Sequence, residues 1–514
     1  MIIISSGAYV ISEFQAELGK IPPCFLPLGN KKLLEHQVSQ LQATFPNEQI
    51  IVSLPESYVL SQAEKNLITQ LNILNIAVPD DFSLAESISY IINITNYLPA
   101  NEPVRIMYGD TLIHDLPNQT LHENILGVAV SEDGYDWKIE EYKEQQPIIW
   151  CGFYSFVSKA DLIRCLALKR HSFIDAIQLY RTEHPCKTHH FKQWFDLGHV
   201  NTYFRSRALI TTQRAFNELR IENGVVHKTG TPKVKIEAEG LWFQNIPSNL
   251  KIFTPQLIYC SNDEQTARYA LEYLPNMPLN ELFVHGKNTS TEWLRLFRLI
   301  GQFFQQAKVE LSLEDKQAIE QDFKLLIEEK TYKRLKQYAA VAQIDVEKPC
   351  QYANKTLPSL LEICEQCIHK TKALPHVFGV LHGDLCFSNI LYDSRAFQIK
   401  VIDPRGLNTL EQFTILGDQK YDLAKLTHSI VGLYDHIIAG RYNLTDDEIH
   451  FDIDQRILQI QKDFLNIDLV DGISVKDILP LVVLLFLSML PLHSDRPDRQ
   501  KAMLMNALRI YQQI

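Results

Sequence analysis

The sequence predicts a two-domain protein, in which an α/β domain with a mainly parallel sheet precedes a domain that begins with a β-hairpin and continues in helices. Three observations support this prediction. The chain has 514 residues, which is too long for one hydrophobic core. Strand-like and helix-like segments alternate through the first two hundred residues, as they do in βαβ units. The pattern changes near residue 208, where we place the boundary between domains 1–208 and 209–514.

Apolar periodicity supports the parallel sheet of the first domain. MIIISS and QIIVSL have the β-branched content of buried strands, and KKLLEHQVSQLQATF between them has the apolar spacing of a helix. VRIMYGDTLI is predicted to be a strand interrupted by Gly109 and Asp110. Parallel strands need crossover helices that cover the sheet, and ligands bind at the carboxyl ends of such strands. Asp110 is predicted to lie at such an end.

Turn chemistry and helical spacing describe the second domain. Asn223 and Gly224 form a favoured hairpin turn, and KVKIEAEGLWFQNIP is predicted to be the helix that follows. ARYALEYLPNMPLNEL predicts a strand, a break at proline and a helix start. Helical patterns are predicted from Trp293 to about His376 and again toward the end of the chain. The apolar segment 478–492 is too short for a typical membrane span and contains two prolines, so we predict a buried helix.

Composition excludes several classes of protein. Hydrophobic residues make up 46% and charged residues 22% of the chain, which is typical of a globular protein. The net charge of −11 and the pI near 5.9 argue against nucleic acid as a partner. Nine cysteines do not form a disulfide framework, and Cys364 and Cys367 are predicted to be core residues of a helix. The first residues lack the basic start of a secretion signal, so we expect a protein of the reducing cytoplasm.

Three polar side chains stand out in the apolar segments VLHGDLCFSNILYD and VIDPRG. His-Gly-Asp ends at Asp384, Asn389 follows five residues later, and Asp403 follows a β-branched pair. Phosphoryl transfer needs a carboxylate that orients the attacking hydroxyl and oxygen ligands that hold Mg²⁺ on the nucleotide phosphates. We therefore predict Asp384 as the catalytic base, with Asn389 and Asp403 as Mg²⁺ ligands.

The order H-G-D-x-x-x-x-N, followed by a hydrophobic residue and Ile-Asp, resembles the signature of the aminoglycoside phosphotransferase and choline kinase family. The resemblance covers about residues 209–514 and includes KYDLAKLTHS after the second Asp. It implies a bilobal α+β fold of the protein-kinase type that uses ATP and Mg²⁺. YALEYLPNMPL resembles the hinge between the lobes, which implies that adenine lies beside Glu272.

The same resemblance implies a lysine that neutralises the nucleotide phosphates from a strand of the small lobe. Lys228 in GVVHKTG fits this position, and Lys235 is a second candidate. The glutamate that pairs with this lysine is Glu239 or Glu237, and the sequence does not choose between them. The phosphate loop departs from the glycine-rich pattern, because only Gly224 stands near it.

In the first domain, PPCFLPLGNKKLLEHQVSQL resembles the sugar-phosphate nucleotidyltransferases, which have a GT-A-type fold. MYGDTLI and WFDLGHVNTYFRSRA resemble two further segments of that family. The resemblance implies that Asp110 and Asp196 bind Mg²⁺ with CTP or another nucleoside triphosphate, and that the loop containing Gly7 contacts the triphosphate. His199 occupies the position of the family's threonine.

The first domain also departs from this family. Its loop has only Gly7 and Gly19 and no arginine, and Pro23 replaces the lysine that follows Pro22. Lys20, Lys31 and Lys32 are candidate substitutes for that lysine. Three interpretations stay open: a working nucleotidyltransferase, a GT-A-type glycosyltransferase, and a noncatalytic domain.

Together the resemblances imply a cytoplasmic enzyme that acts on a small molecule. The second domain would phosphorylate a hydroxylated metabolite, which is a sugar, a polyol or an amino alcohol. The first domain would then attach a nucleotide for synthesis of capsule or surface polysaccharide. The alternative is a kinase whose first domain binds a nucleotide sugar without catalysis or resembles a glycosyltransferase. The acceptor and the oligomeric state are not determined by the sequence.

Overall fold

A computed structural model gives the structure of residues 1–95, 103–117, 122–212, 219–262 and 266–514. The chain divides into two compact units. The first unit comprises Met1–Thr211 with His285–Lys287, and the second comprises Thr212–Val284 with Asn288–Ile514.

The first unit alternates strands and helices. Its strands are β1 Ile2–Ser5, β2 Pro27–Leu28, β3 Lys31–Lys32, β4 Ile50–Pro55, β5 Leu74–Val78, β6 Val104–Tyr108, β7 Thr111–Ile113, β8 Ile125–Val130, β9 Ile139–Lys143, β10 Gln146–Phe156, β11 Lys187–His190 and β12 Trp194–Asp196. Its helices are α1 Ser12–Leu18, α2 Leu33–Thr44, α3 Gln62–Gln70, α4 Leu84–Ile94, α5 Lys159–Leu168, α6 Phe173–Glu183 and α7 Val200–Thr212.

The main sheet of this unit has eight strands in the order β11-β8-β10-β6-β1-β4-β5, with β9 paired to β10. Strand β1 is central and runs parallel to β4 and β6, β5 runs parallel to β4, and β11 runs parallel to β8. Only β10 introduces antiparallel pairs, with β6, β8 and β9. The predicted α/β fold with a mainly parallel sheet is confirmed.

Two hydrophobic cores lie on opposite faces of the main sheet. Ile3 of β1 belongs to a cluster that contains Ile88 of α4, whereas Ile2 and Ile4 belong to a second cluster that contains Leu41 of α2. Because successive side chains of a strand point to opposite faces, one β-branched run supplies both cores. The helices therefore cover both faces, as the sequence predicts.

A buried ion pair joins β3 to α3 in the first unit. The Lys32 ammonium donates a hydrogen bond to Glu64 Oε1 over 2.9 Å, and the two side chains are only 6% and 3% exposed. Burial raises the pKa of Glu64, but Lys32 and other neighbouring donors outweigh this effect and hold the pKa well below its usual value. The pair therefore contributes stability above the pKa of the unfolded glutamate, and this contribution is lost as the pH falls.

We expect Lys32→Met to lower the free energy of unfolding at pH 7 by about 3–5 kcal/mol, because the change removes the nearest cation from a buried carboxylate and leaves, among the described residues, only Lys287 at 3.9 Å. Lys31→Met is the matched control, since Lys31 is exposed on the same short strand. Urea unfolding of both variants between pH 7 and pH 3 measures the effect. The gap between Lys32→Met and the wild type should narrow toward acid, where Glu64 gains a proton. An equal loss of stability in both variants would contradict a specific role for Lys32.

The second unit begins with a hairpin and ends in a bundle of helices. Its strands are β13 Leu219–Glu222, β14 Val225–Thr229, β15 Leu257–Asn262, β16 Ala267–Glu272, β17 Met277–Pro278, β18 Pro349–Tyr352, β19 Lys355–Ser359, β20 Phe378–Val380, β21 Ile390–Asp393, β22 Gln398–Val401, β23 Leu416–Asp418, β24 Asn443–Leu444 and β25 Ile449–His450. Its helices are α8 Lys233–Asn245, α9 Leu279–His285, α10 Ser290–Gln306, α11 Leu313–Ile327, α12 Glu329–Ala342, α13 Leu360–Lys372, α14 Gln419–Ile430, α15 Tyr434–Ile438, α16 Gln455–Phe464, α17 Leu479–Met489 and α18 Pro497–Tyr511.

This unit has a small lobe and a larger helical lobe. The small lobe is an antiparallel sheet of four strands in the order β13-β14-β16-β15, with α8 packed against β15 and β16. In the described part of the chain, the larger lobe contains helices and four short sheets, β17-β21-β22, β18-β19, β20-β23 and β24-β25. The predicted hairpin at Asn223-Gly224 is confirmed, and both turn residues have the positive φ that this turn requires. The unit is thus bilobal and α+β.

The segment from Trp293 to His376 contains a hairpin, β18 paired with β19, that the helical prediction missed. The turn is made by Ala353 and Asn354, which have φ values of 49° and 60°. Asp447 stabilises it, since its carbonyl accepts from the Ala353 N–H and its carboxylate accepts from the Asn354 N–H. This contact joins residues far apart in sequence, so periodicity does not reveal it.

The remaining predictions about apolar segments are confirmed. The segment 478–492 contains α17, a helix of eleven residues whose side chains are almost all buried. Within the described part of the chain, no helix is both long enough and apolar enough to cross a membrane. All nine cysteines are free, and Cys364 and Cys367 lie in the core on α13.

Candidate active sites

A buried lysine links the two lobes of the second unit. Lys228 lies on β14, and its ammonium donates to Glu239 Oε2 on α8 over 2.7 Å and to Asp403 Oδ1 over 2.9 Å. Asp403 follows β22 in the larger lobe. Burial lowers the pKa of Lys228, but the charges of Asp403 and Glu239 outweigh it and raise the pKa above its usual value. Lys228 is therefore held as a cation at the junction of the lobes.

The structure pairs Lys228 with Glu239 and not with Glu237. Tyr269 on β16 donates a second hydrogen bond to Glu239 Oε2 over 2.8 Å, which fixes the carboxylate. Glu237 and Glu239 are two residues apart on α8 and so point in nearly opposite directions around the helix. Lys235, the second candidate for the lysine, lies in the first turn of α8 and is exposed.

The hairpin of β21 and β22 brings Asn389 and Asp403 together. Ile390 is paired with Val401, and the Ile402 N–H donates to the Asn389 carbonyl over 3.0 Å. Asp403 has a φ of 56°, in the left-handed region that asparagine and aspartate tolerate better than most residues. This backbone turn directs the chain away from the hairpin directly after β22.

Asp384 lies next to Asn389 and is bound from two directions. The Asn389 amide donates to the Asp384 carbonyl over 2.9 Å and to Asp384 Oδ2 over 3.3 Å. On the other side, the Lys425 ammonium lies 2.9 Å from Asp384 Oδ1. Burial raises the pKa of Asp384, but the Lys425 charge outweighs it and holds the pKa below its usual value. The carboxylate is thus kept ionised.

The backbone that carries Asp384 is fixed by Asp422 of α14. Its carboxylate accepts from the N–H groups of His382 and Gly383 over 2.7 and 2.8 Å. His382 is fully buried, and its Nε2 lies 2.9 Å from the Ile402 carbonyl. Burial lowers the pKa of His382 to about 4, so the imidazole is neutral. His382 therefore joins the Asp384 loop to the Asp403 segment and has a structural role.

Sequence analysis missed the roles of Lys425 and Asp422. The segment KYDLAKLTHS was matched as a whole, but its individual side chains were not assigned. Asp422 and Lys425 are three residues apart on α14 and so share one face of the helix. This spacing was the available signal, although only the three-dimensional structure shows which loop the face contacts.

The oxygen atoms of this site fit a Mg²⁺ ion chemically. The Asn389 amide nitrogen is bound to Asp384, and the amide oxygen accepts only a long hydrogen bond of 3.4 Å from the Ser388 hydroxyl, so it keeps a lone pair for a ligand. The Asp403 carboxylate is 45% exposed and binds Lys228 through Oδ1 only. One carboxylate and one amide oxygen are the hard donors that Mg²⁺ takes from proteins in phosphate-transfer sites.

The predicted adenine contact, Glu272, lies at the end of β16. It is exposed, its N–H donates to the Gln256 carbonyl over 2.9 Å, and its carboxylate accepts from the Gln256 N–H over 3.3 Å. The next residue, Tyr273, donates from its N–H to the Gly224 carbonyl over 2.8 Å. Glu272 thus lies at the tip of the β13-β14 hairpin, and its role in nucleotide binding stays a prediction.

In the first unit, Asp110 and Asp196 come together through the small β7-β12 sheet. Asp196 is paired with Thr111, and the Leu197 N–H donates to the Asp110 carbonyl over 2.9 Å. Both carboxylates lie against Gly198: a Cβ there would be 2.4 Å from Asp110 Oδ2 and 3.4 Å from Asp196 Oδ1. Burial, with a contribution from the Asp196 charge, raises the pKa of Asp110 to about 6. Two neighbouring carboxylates that repel each other fit a divalent cation.

Polar and aromatic side chains surround Asp196. His199 Nδ1 lies 2.8 Å from Asp196 Oδ2, and the Thr202 hydroxyl donates to the same oxygen. The hydrogen bond between His199 and Asp196 raises the pKa of His199, although partial burial acts in the opposite direction. Tyr135 stacks on the His199 ring with centroids 3.7 Å apart. The histidine at the family's threonine position therefore orients Asp196.

The loop predicted to contact triphosphate follows β1. Gly7 is packed closely, because a Cβ there would be 2.4 Å from Val78 Cγ2. Among the candidate lysines, Lys32 is bound to Glu64, as described above, whereas Lys20 and Lys31 are exposed. The Lys20 ammonium lies 4.0 Å from the centre of the Tyr9 ring. The structure thus leaves Lys20 and Lys31 as the accessible candidates.

Comparison with known proteins gives no match to a family model and no curated protein of similar sequence. Solved structures are similar at low identity. One is described as a nucleoside-diphosphate-sugar pyrophosphorylase from Vibrio cholerae RC9 (15% identity, 40% of this chain and 99% of that chain, TM-score 0.33). Another is a choline/ethanolamine kinase family protein from Mesorhizobium loti (10% identity, 61% and 99%, TM-score 0.31). A third is the GDP complex of aminoglycoside 2'-phosphotransferase-IIIa (13% identity, 58% and 90%, TM-score 0.35).

These solved structures represent the two classes of protein that the motifs resemble. The fold class is the predicted one: an α/β unit with a mainly parallel sheet, followed by a bilobal α+β unit.

Proposed function

We propose that this chain is a bifunctional transferase whose domains are 1–208 and 209–514. The second domain phosphorylates a hydroxylated small molecule with ATP, and the first domain then attaches a nucleotide to the phosphate. The product would be an activated building block for capsule or surface polysaccharide. The observation that carries the proposal is the ion pair between Lys228 and Asp403, because it assembles phosphate-binding and metal-binding groups at one junction of the lobes.

In the proposed kinase reaction, an acceptor hydroxyl attacks the γ-phosphorus of ATP, and the bond from that phosphorus to the bridging oxygen of ADP breaks. Asp384 accepts the proton of the hydroxyl and orients its oxygen. Lys228 neutralises charge on the nucleotide phosphates, and Glu239 with Tyr269 fixes the position of Lys228. Mg²⁺, when bound by Asn389 and Asp403, would balance the charge of the phosphates.

The low pKa of Asp384 suits this chemistry. A carboxylate paired with Lys425 is a weak base, but it stays ionised at neutral pH and accepts a hydrogen bond from the acceptor. Phosphoryl transfer through a loose transition state requires little proton removal before the bond to phosphorus forms. Orientation of the hydroxyl is therefore the main contribution that we assign to Asp384.

In the proposed second reaction, the phosphate of the product attacks the α-phosphorus of CTP or another nucleoside triphosphate, and pyrophosphate leaves. Asp110 and Asp196 would hold Mg²⁺ beside the triphosphate, since their carboxylates lie together against Gly198. The role of His199 would be to keep Asp196 correctly oriented.

A noncatalytic first domain is the second candidate. The close packing of Gly7 and the ion pair of Lys32 reduce the number of groups in the loop region that could bind triphosphate. In this alternative the domain binds a nucleotide sugar, and only the kinase reaction takes place.

We expect Asp110→Ala in the full-length chain to abolish pyrophosphate release while ADP formation continues. The fold should be retained or slightly stabilised, because the change removes repulsion with Asp196. The protein is incubated with ATP, Mg²⁺ and each member of a panel of sugars, polyols and amino alcohols. Each nucleoside triphosphate is then added, and ADP and pyrophosphate are measured separately. Asp81→Ala, which changes an exposed aspartate of the same unit, is the control. Nucleotide binding without pyrophosphate release in the wild type would support the noncatalytic alternative.

A further inference from the structure

Two cationic side chains lie at the Asp384 loop: the Lys425 ammonium is 2.9 Å from Asp384 Oδ1, and Arg405 packs against Gly383. We refer to these two side chains, together with Lys330, which interacts electrostatically with both, and Arg334, which interacts electrostatically with Lys330, as the basic cluster. Lys330 and Arg334 are one turn apart on α12, and Lys425 lies on α14. The positive charges of Arg334, Arg405 and Lys425 all act on Lys330. The cluster therefore joins three separate segments of the larger lobe.

Two members of the basic cluster have no anionic partner within the described part of the chain. Lys425 is paired with Asp384, and Arg334 donates to the Ser488 carbonyl over 3.0 Å. In contrast, neither the Lys330 ammonium nor the Arg405 guanidinium forms a hydrogen bond or ion pair with any side chain that the structure describes.

The carboxylates of Asp322 and Asp422, which lie near the basic cluster, already accept hydrogen bonds from other groups. Asp322 acts electrostatically on Lys330, but it accepts from the N–H and the hydroxyl of Thr409. Asp422 accepts from two backbone N–H groups of the Asp384 loop. Burial and the three neighbouring cations lower the pKa of Lys330 to about 7. Such an environment favours an added anion, since an opposite charge stabilises a desolvated ammonium.

One member of the basic cluster, Arg405, lines a small cavity. The cavity has a volume of about 70 Å³, and its lining also includes Asp322, Leu326 and Tyr421. The Arg405 guanidinium lies 5.2 Å from the centre of the Tyr421 ring. Arg405 also packs against Gly383, since a Cβ at Gly383 would be 3.1 Å from Arg405 Nε. The Arg405 side chain thus connects this cavity to the residue that precedes Asp384.

The two oxygens of Asp384 distinguish a nucleotide side from an acceptor side. Oδ2 is contacted by Asn389, which belongs to the candidate metal site, whereas Oδ1 is contacted by Lys425, which belongs to the basic cluster. An acceptor hydroxyl must contact Asp384 to be phosphorylated. Its remaining groups then extend toward the basic cluster and not toward the metal ligands.

We propose that the phosphoryl acceptor is an anionic hydroxylated metabolite whose carboxylate or phosphate binds the basic cluster while its hydroxyl contacts Asp384. This inference rests on the proposed kinase function and narrows its substrate class to hydroxy acids and sugar phosphates. Lys330 and Arg405 supply the direct contacts to the anion. Neutral polyols and cationic amino alcohols would bind the basic cluster poorly, because they have no negative charge to pair with its cations.

The test compares matched neutral, carboxylate and phosphate compounds with the full-length protein. One set is glycerol, glycerate and glycerol 3-phosphate, and the other is glucose, gluconate and glucose 6-phosphate. Binding is measured by calorimetry with saturating Mg²⁺–ADP, which occupies the nucleotide side, and turnover is measured as ADP release from ATP. In at least one set, an anionic member should bind at least about tenfold more tightly than the neutral member, as expected for charge-assisted hydrogen bonds. The carboxylate and phosphate arms then show which anion is preferred.

Three variants assign this preference to the basic cluster. Lys330→Gln should weaken binding of the preferred anion by about tenfold and leave the KM for ATP within about twofold. Lys330→Arg should restore binding, and Lys333→Gln, an exposed change on the same helix, should have no effect. Equal or tighter binding of the neutral compounds would overturn the inference, as would a Lys330→Gln variant that raises the KM for ATP instead. Phosphorylation of a neutral compound would leave the kinase function intact while rejecting the anionic acceptor. Anion binding without turnover of any compound would instead count against the kinase function.

Discussion

Asp384→Asn should lower kcat for ATP-dependent phosphorylation by roughly 10²- to 10⁴-fold, which is the usual contribution of a positioned acid or base. The change removes the acceptor of the hydroxyl proton while keeping the shape of the side chain. Asn389 still has the Asp384 carbonyl as a partner over 2.9 Å, so the loop should keep its conformation. ADP release with the identified acceptor and the thermal unfolding midpoint are the two measurements.

The control for this change is Asp446→Asn, since Asp446 is fully exposed. Its kcat should equal that of the wild type. Near-wild-type turnover by Asp384→Asn would show that another group orients the acceptor. A large drop in the unfolding midpoint would mean that the ion pair with Lys425 serves mainly the fold.

Asp403→Asn should lower kcat/KM for ATP by roughly 10²- to 10³-fold, as loss of one electrostatic contact to a transition state does. The change removes a charged ligand and one of the two anions bound to Lys228. Asparagine is the appropriate replacement because residue 403 has a φ of 56°, a conformation that asparagine adopts more readily than alanine. The dependence of the rate on Mg²⁺ concentration should shift to higher concentrations.

Two glutamate variants accompany this prediction. Glu239→Gln should also raise the KM for ATP, because Lys228 loses a carboxylate at 2.7 Å. Glu237→Gln neutralises a carboxylate two residues away on the same helix and should stay within about twofold of the wild type, because the Lys228 ammonium is bound by Glu239 and Asp403 instead. Equal effects of both glutamate variants would contradict the pairing of Lys228 with Glu239.

Local patterns predicted much of the fold and part of the candidate site. The β-branched run at Ile2–Ser5 and the turn at Asn223-Gly224 are short-range signals, and both produced the expected strands. Asp384, Asn389 and Asp403 were also predicted together, because a loop and one hairpin place them close in space. Their catalytic and metal-binding roles are still proposals.

Features that depend on distant segments were not predictable. The sequence does not show which face of α8 is turned toward Lys228 on β14. It therefore could not decide whether Glu239 or Glu237 pairs with this lysine. Lys425 contacts Asp384 from α14, and Lys330 interacts electrostatically with Lys425 from α12, so no sequence spacing links the three residues. The hairpin β18-β19 is stabilised by Asp447 in a later segment. The buried ion pair of Lys32 and Glu64 likewise connects β3 with α3, and the apolar periodicity of neither element predicts that contact.

The central position of α17 has a consequence for biosynthesis. This apolar helix packs against α12, α13, α14 and α18, and α12 and α14 carry Lys330 and Lys425. During translation, those earlier helices emerge from the ribosome before their shared packing partner exists. Nascent chains stalled before Leu479 should therefore expose the apolar helix surfaces that α17 covers in the complete protein. We expect such chains to bind chaperones until the final segments are synthesised.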